Sequence, residues 1–218
     1  AAGIDRFIVQ SVATTPEQVQ SINRFIAGEV QNANGRLFGL GTLHPAAKNP
    51  EDDLKHLLAL GLHGVKLHPD IQDFKIDDYR CLKIYELCER YGVPILMHTG
   101  DSRFDRSNPN RLLPVMQIYT GLTVVAAHLG GWSVWEQAGE QLCGLPNLFV
   151  DCSSSFGFLS VERVKKIILT YGCSRVLFGT DYPMWAPEKE LDSFFEMQLT
   201  ESQNRQILAE NAKRAFGF

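Results

Sequence analysis

The stretch PILMHTG, residues 94–100, is an apolar run that stops on His98, Thr99 and Gly100. Three more runs stop in the same manner: GVKLHP at 64–69, VVAAHLGG at 124–131 and VLFGTDYP at 176–183. Short runs of aliphatic and β-branched residues closed by turn-formers predict strands, and their lack of polar alternation predicts strands buried on both faces. Amphipathic segments of helical length separate them, so strand and helix alternate, which implies a parallel sheet. His68, His98 and His128 recur at intervals of 30 residues, about the length of one strand–helix unit.

Working outward, the pattern predicts seven strands: Asp5 to Val12, Arg36 to Leu43, Gly64 to His68, Val93 to His98, Thr123 to His128, Leu148 to Cys152 and Arg175 to Gly179. Helices are expected over Pro16 to Ala33, Pro50 to Leu60, Asp77 to Tyr91, Pro109 to Tyr119, Ser133 to Cys143, Ser160 to Tyr171, Pro187 to Glu196 and Glu201 to Phe216. Thr15, Asn49 and Asn108 each precede a proline, the arrangement of a capping residue before the first helical position. Asp77 and Ser160 are further expected caps, and Gly61, Gly92, Gly121 and Gly172 fall where helices must stop.

A closed barrel of this kind needs eight parallel strands and typically about 250 residues. Seven strands in 218 residues predict an α/β chain, a (β/α)8 TIM barrel whose first strand is missing. Ala1-Ala2-Gly3-Ile4-Asp5 looks like the end of a helix entering a strand, which places the missing unit before residue 1. No linker or low-complexity stretch breaks the rhythm, so residues 1–218 form a single domain.

Composition narrows the function. A formal net charge of -4 supplies no field for gathering polyanions, which argues against nucleic acid as a partner. No run reaches the 18 apolar residues of a membrane span, and nothing resembles a signal peptide or lipidation motif. The five cysteines are odd in number, scattered and without a CxxC pair, as expected of reduced thiols in a cytoplasmic protein. A small-molecule substrate is the expected partner, and homo-oligomerisation is compatible with the sequence.

The strand ends carry the chemistry. Residues two apart share a face of a strand, so Lys66 with His68, Leu96 with His98, Ala126 with His128 and Gly179 with Asp181 point together. In a barrel these C-terminal ends form the active mouth. Imidazole nitrogen with carboxylate oxygen suits Zn²⁺, Mn²⁺ or Fe²⁺. His128, followed by Gly130 and Gly131, is assigned to acid–base work, and Asp181 to metal binding, water steering or both. Lys66 must be paired, desolvated or modified and is a candidate anion-binding group. His44 and His68, each before a proline, are candidates to contact the substrate or to support a metal ligand from behind. Arg103, Arg106 and Arg111 share a loop with Asp101 and Asp105; Arg103 is a candidate carboxylate clamp, against the alternative of a solvated charged surface. Met184, Trp185 and Phe156 are candidate pocket walls.

Taken in order, GVKLHP, MHTG, AHLGG, GTDYP and the closing Asn211-Ala212-Lys213-Arg214 resemble the amidohydrolase superfamily, in its amidohydrolase-related branch of barrel hydrolases and decarboxylases. The resemblance implies a divalent metal, Zn²⁺ first and Mn²⁺ or Fe²⁺ next, held by a His-x-His pair on the first strand, a histidine on the fifth and an aspartate on the eighth. His98 and Asp181 match the last two, and His128 matches a sixth-strand proton-transfer histidine. The chain contains no His-x-His, so its own metal binding is expected to be weak or absent. Some branches bridge two metals with a carboxylated fourth-strand lysine, a part only Lys66 could take. The expected function is a metal-dependent hydrolase of a small amide, lactone or ester by activated water. The alternatives are a nonoxidative decarboxylase of an aromatic or unsaturated acid, and a noncatalytic barrel that binds a ligand.

Overall fold

Seven strands run parallel, in chain order, in a computed structural model that describes residues 3–218. They are β1 (Phe7–Gln10), β2 (Leu37–Thr42), β3 (Val65–Leu67), β4 (Ile95–Met97), β5 (Val124–Ala126), β6 (Leu148–Asp151) and β7 (Val176–Leu177). Helices α1 (Val19–Asn32), α2 (Pro50–Ala59), α3 (Pro69–Gln72), α4 (Tyr79–Tyr91), α5 (Pro109–Ile118), α6 (Trp135–Leu142) and α7 (Val161–Tyr171) fill the connections. After β7 come α8 (Pro187–Glu196), α9 (Glu201–Arg205), a π-helical turn at Gln206–Glu210 and α10 (Asn211–Phe216).

The sheet is curled. Leu40 of β2 and Leu177 of β7 lie in one buried cluster with Leu96, Val125 and Phe149. On a flat sheet, five strand spacings of about 4.8 Å would hold those two residues about 24 Å apart. Ala215 and Phe216 of α10 fill the same interior, and a Cβ on Gly64, just before β3, would touch the Phe216 ring at 3.3 Å. The C-terminal segment therefore plugs the N-terminal end of the strands and leaves the opposite end as the mouth. On the outer face, Leu54 and Leu57 of α2, Ile84 and Leu87 of α4, Leu112 of α5 and Val164 of α7 pack with Val65, Ile95, Val124 and Val150. Burial on both faces explains the unbroken apolar runs. No pairing joins β1 to β7 among the described residues, so the TIM-barrel architecture has seven strands, one fewer than a closed barrel.

Local chemistry sets the boundaries. Pro16, Pro50, Pro109 and Pro187 each open a helical segment. Asn108 and Ser160 cap as expected, accepting from the amides of Asn110 (3.1 Å) and Arg163 (3.3 Å). Asn49 makes no side-chain cap. At α4 the cap is Asp78, one residue later than expected, while Asp77 instead accepts from Arg111 Nη1 at 2.8 Å. Gly92 ends α4 with φ +64, the left-handed position that only glycine adopts without a steric cost. The strands are shorter than their apolar runs because the chain leaves the ladder to carry His68, His98 and His128 over the mouth.

No helix among the described residues is long and apolar enough to cross a membrane, and all five cysteines are unpaired. The reading of Ala1 and Ala2 as the end of a helix lies outside the described residues.

Candidate active site

Three histidines meet at the mouth. His68 leaves β3 and its ring stacks on that of His98, 3.8 Å between centroids and 8° from parallel. His98 leaves β4, its amide bonded to the Leu67 carbonyl at 3.0 Å, and its Nδ1 lies 3.1 Å from His128 Nε2. His128 leaves β5 in a left-handed conformation, φ +59, and Leu129 follows at φ +54. Two successive non-glycine residues there are strained. What compensates is Asp151 at the end of β6, whose Oδ1 accepts from the amide of His128 (3.2 Å) and from that of Ser153 (2.9 Å).

The tautomers follow from these contacts. His128 Nδ1 lies 3.1 Å from the Ser153 carbonyl and 3.0 Å from its Oγ. A carbonyl only accepts, so His128 Nδ1 carries the hydrogen and, in the neutral ring, Nε2 keeps a lone pair. The Ser153 hydroxyl donates onward to Asp151 Oδ1. His98 Nδ1 then donates to His128 Nε2, which leaves the lone pair of His98 on Nε2. That atom faces Asp70 Oδ2 at 3.7 Å. The two do not form an ion pair, because burial, with His68 and His128 next, holds His98 far below the ordinary imidazole range.

Asp70 stands in the first turn of α3, its side chain only 7% exposed. Its Oδ2 accepts from Ser107 Oγ at 2.6 Å, and its Oδ1 has no hydrogen-bond partner. Burial raises its carboxyl above the usual range against the opposing Ser107 bond. His68 is pushed down to about 3 by burial and by Lys66, and its Nδ1 is also unpartnered. Ligand atoms of His68, Asp70 and His98 lie within 4.8 Å of one another. Two imidazole nitrogens and one carboxylate, with two of their buried atoms unpartnered, fit the divalent cation expected near His98.

The other expected site residues divide. Lys66 is buried at the floor of the mouth; burial lowers its ammonium below the usual range while Asp151 and then Asp181 oppose the shift. No described residue forms an ion pair with it. Asp181 is exposed, with φ +56, and its Oδ2 accepts from Ser154 Oγ at 2.8 Å. It falls outside the trio that surrounds His98 Nε2, so it reaches His128 and Lys66 only through charge. His44 is buried after β2 and spends Nδ1 on its own loop, accepting from the Ala46 amide at 3.1 Å. Arg103 is 70% exposed and already engaged: its Nη2 donates to Asp101 at 2.6 Å. Arg106 pairs with Asp73, and Arg111 with Asp77 and Asp105.

An aromatic arch spans the loops beyond β5, β6 and β7. Trp132 meets Phe158 edge-on at 5.3 Å, and Phe158 meets Trp185 at 5.8 Å. The arch is tied to the histidines by backbone and side chain: the Trp132 amide donates to the carbonyl of Thr99, beside His98 (2.9 Å). Trp185 Nε1 donates to Ser154 Oγ (3.0 Å), beside the residue that holds His128. Arg103 lies over the Trp132 ring at 5.7 Å. Phe156, expected in the wall, packs instead against the hydrophobic core, and Met184 is exposed. Sequence reasoning missed Asp70, Asp151 and Ser153; the end of the Leu148 strand, DCSSS, held the signal for the last two.

The sequence model of the amidohydrolase family matches residues 4–218. A 2-amino-3-carboxymuconate-6-semialdehyde decarboxylase of Dictyostelium discoideum is 25% identical over 239 residues, covering 91% of this chain and 66% of that protein. The chain thus spans about two thirds of the length of that relative. Among solved structures, an uncharacterised TIM-barrel protein of Bordetella bronchiseptica superposes with a TM-score of 0.85 at 24% identity, covering 99% of this chain and 79% of the other. A 5-carboxyvanillate decarboxylase of Sphingomonas paucimobilis superposes at 0.80 and 16% identity, covering 100% and 80%. At those identities the likeness is one of fold. The family match across nearly the whole chain, on a barrel whose strand ends gather three histidines, makes this protein a member of the amidohydrolase family.

Proposed function

We propose that this chain is the catalytic barrel of a metal-dependent, nonoxidative decarboxylase acting on a flat aromatic or unsaturated carboxylic acid. The observation that carries the reading is the aromatic arch of Trp132, Phe158 and Trp185 beside paired imidazoles. Aromatic edges and faces reward a planar, unsaturated substrate. The decarboxylase activity of the curated relative supports the same choice. Hydrolysis, the first expectation from the motifs, would use the same groups with water as the nucleophile and has less support.

His68, Asp70 and His98 would hold the divalent ion, which when bound supplies Lewis-acid polarisation of a substrate oxygen. Lys66 supplies a buried positive charge, which no described residue pairs directly, for the substrate carboxylate. His128 accepts or delivers a proton at Nε2, the atom that its Nδ1–H bond to Ser153 leaves with a lone pair, once the substrate takes the place of the His98 Nδ1–H that occupies it. Loss of carbon dioxide leaves an electron pair on carbon, and that carbon takes up one proton. Asp181 acts on Lys66 and His128 by charge from the rim.

The test is product analysis on two panels, one of aromatic and unsaturated carboxylic acids and one of esters, lactones and amides. The proposal predicts carbon dioxide from a member of the first and no turnover of the second. Hydrolysis in the second panel without carbon dioxide from the first would refute it, and inactivity on both with no bound metal would favour a noncatalytic barrel.

A further inference from the structure

We propose that the entry ends of β5, β6 and β7 form a second ligand site, an anion seat in which Arg175 and Arg214 hold a phosphoryl group at the opposite end of the barrel from the histidines. The seat rests on neither the metal nor the choice of reaction.

Its walls are residues that each introduce a strand. Thr123, Asn147 and Arg175 stand one position before β5, β6 and β7, in a parallel ladder that pairs Val124 with Leu148 and Val150 with Val176. Neighbouring strands lie about 4.8 Å apart, so the three residues share one rim. With Phe149, Ser174 and Arg214 they line a recess of about 410 Å³, a volume in the range of small-molecule sites. His98 and His128 lie beyond the other ends of β4 and β5, so the length of the strands separates this recess from the mouth.

The charge in the recess is unbalanced. The guanidinium carbons of Arg175 and Arg214 lie 5.4 and 5.1 Å from the centroid of the Phe149 ring, itself only 5% exposed. Neither forms an ion pair among the described residues, whereas Arg80, Arg90, Arg103, Arg106, Arg111 and Arg163 each pair with a carboxylate. In a chain of net charge -4, two neighbouring cations without a carboxylate are the exception. The ring attracts each of them while they repel one another. An anion between them replaces that repulsion with two charge-assisted contacts.

A buried amide holds the pair in place. Asn211, 1% exposed, donates from Nδ2 to the carbonyls of Cys173 and Val176, both at 2.7 Å, on either side of Arg175 in the chain. Its Oδ1 accepts from Arg214 Nη2 at 3.1 Å, and the same nitrogen donates to the Ser174 carbonyl. The closing Asn211-Ala212-Lys213-Arg214 thus ties the turn that carries Arg175 to the head of Arg214, and less side-chain freedom is left to lose on binding. Planar guanidinium forks match the oxygens of phosphate and carboxylate alike. Two forks converging on one recess match the two charges of a phosphoryl group, and a monocarboxylate would leave one cation unanswered.

The test is titration of the chelator-treated chain with inorganic phosphate at constant ionic strength, read by ¹H–¹⁵N NMR. One ion per chain is expected, moving the amide signals of Asn147, Ser174 and Arg175 and leaving those of Thr99 and Leu129 in place. Arg175→Gln should weaken binding at least about fivefold. Lys213→Gln removes an exposed charge of the same helix outside the recess and should weaken it less than about twofold. Shifts confined to the mouth, equal weakening by the two substitutions, or no saturation by about 50 mM phosphate would each overturn the proposal. Should Arg175→Gln fail to fold, acetate decides on the wild type: it should bind at least about threefold more weakly than phosphate, and equal affinity would refute the two-charge seat.

Discussion

Replacing Gln72 with methionine should unfasten the mouth without emptying it. The Gln72 amide is 3% exposed and binds the ends of three successive strands. Its Nε2 donates to the carbonyls of Ala13, beyond β1, and Leu43, beyond β2, each at 2.9 Å, and its Oε1 accepts from the amide of His68, beyond β3. Methionine keeps nearly the same volume, so the cavity term is small. Three backbone groups lose their partner, and a buried group left unpaired costs about 1–3 kcal/mol. Allowing for some repair by water from the mouth, the loss is about 4 kcal/mol. With a urea slope of about 3 kcal/mol/M for a chain of this size, the midpoint should fall by about 1.3 M. Urea unfolding followed by fluorescence of the three tryptophans reads this directly. A shift below about 0.2 M would refute the claim that this amide holds the three strand ends.

Three other outcomes follow from the same geometry. His128→Asn removes the proton-handling Nε2 and should lower turnover by about 10²–10⁴, while a substrate analogue still binds in equilibrium titration; unchanged turnover would remove His128 from the chemistry. Trp185→Ala takes away one edge-to-face partner, worth about 0.5–1.5 kcal/mol, so analogue affinity should drop about threefold to tenfold with Zn²⁺ binding intact. Glu190 is buried in α8 with Oε2 unpartnered, and burial pushes its carboxyl up to about 7 from 4.5. The fold thus favours the protonated form: the stability this contributes is whole below pH 4.5 and disappears as pH rises through 7. Glu190→Gln should accordingly gain about 2 kcal/mol at pH 8 and little at pH 4; equal melting curves at both pH values would contradict it.

Period-two alternation puts Lys66 and His68 on one face and points to a mouth at the strand ends, because a parallel strand buried on both faces leaves its end as the place for a polar group. The same rule overlooked Asp70. That residue reaches the site by one turn of α3, a helix of four residues, too short to leave a periodic signal. Gln72 was overlooked for a different reason: an uncharged amide in no motif announces nothing, and its three partners are 59, 29 and 4 residues away. Asp151 ends β6 and Ser153 lies two residues beyond it, yet their role depends on the left-handed turn at His128 and Leu129, which neither side chain favours. Asp181 is a metal-ligand candidate by its strand-end position and by the family pattern alike, whereas the contacts around His98 depend on rotamers that spacing does not encode.

The most direct test of the central claim is to run the reaction in D₂O on a carboxyl-¹³C-labelled aromatic acid and follow it by NMR. The account predicts release of labelled carbon dioxide with one deuterium at the carbon that carried the carboxylate, dependent on added divalent metal and suppressed in His128→Asn. Retention of the labelled carboxylate in every acid, alongside cleavage of an ester, lactone or amide, would contradict it.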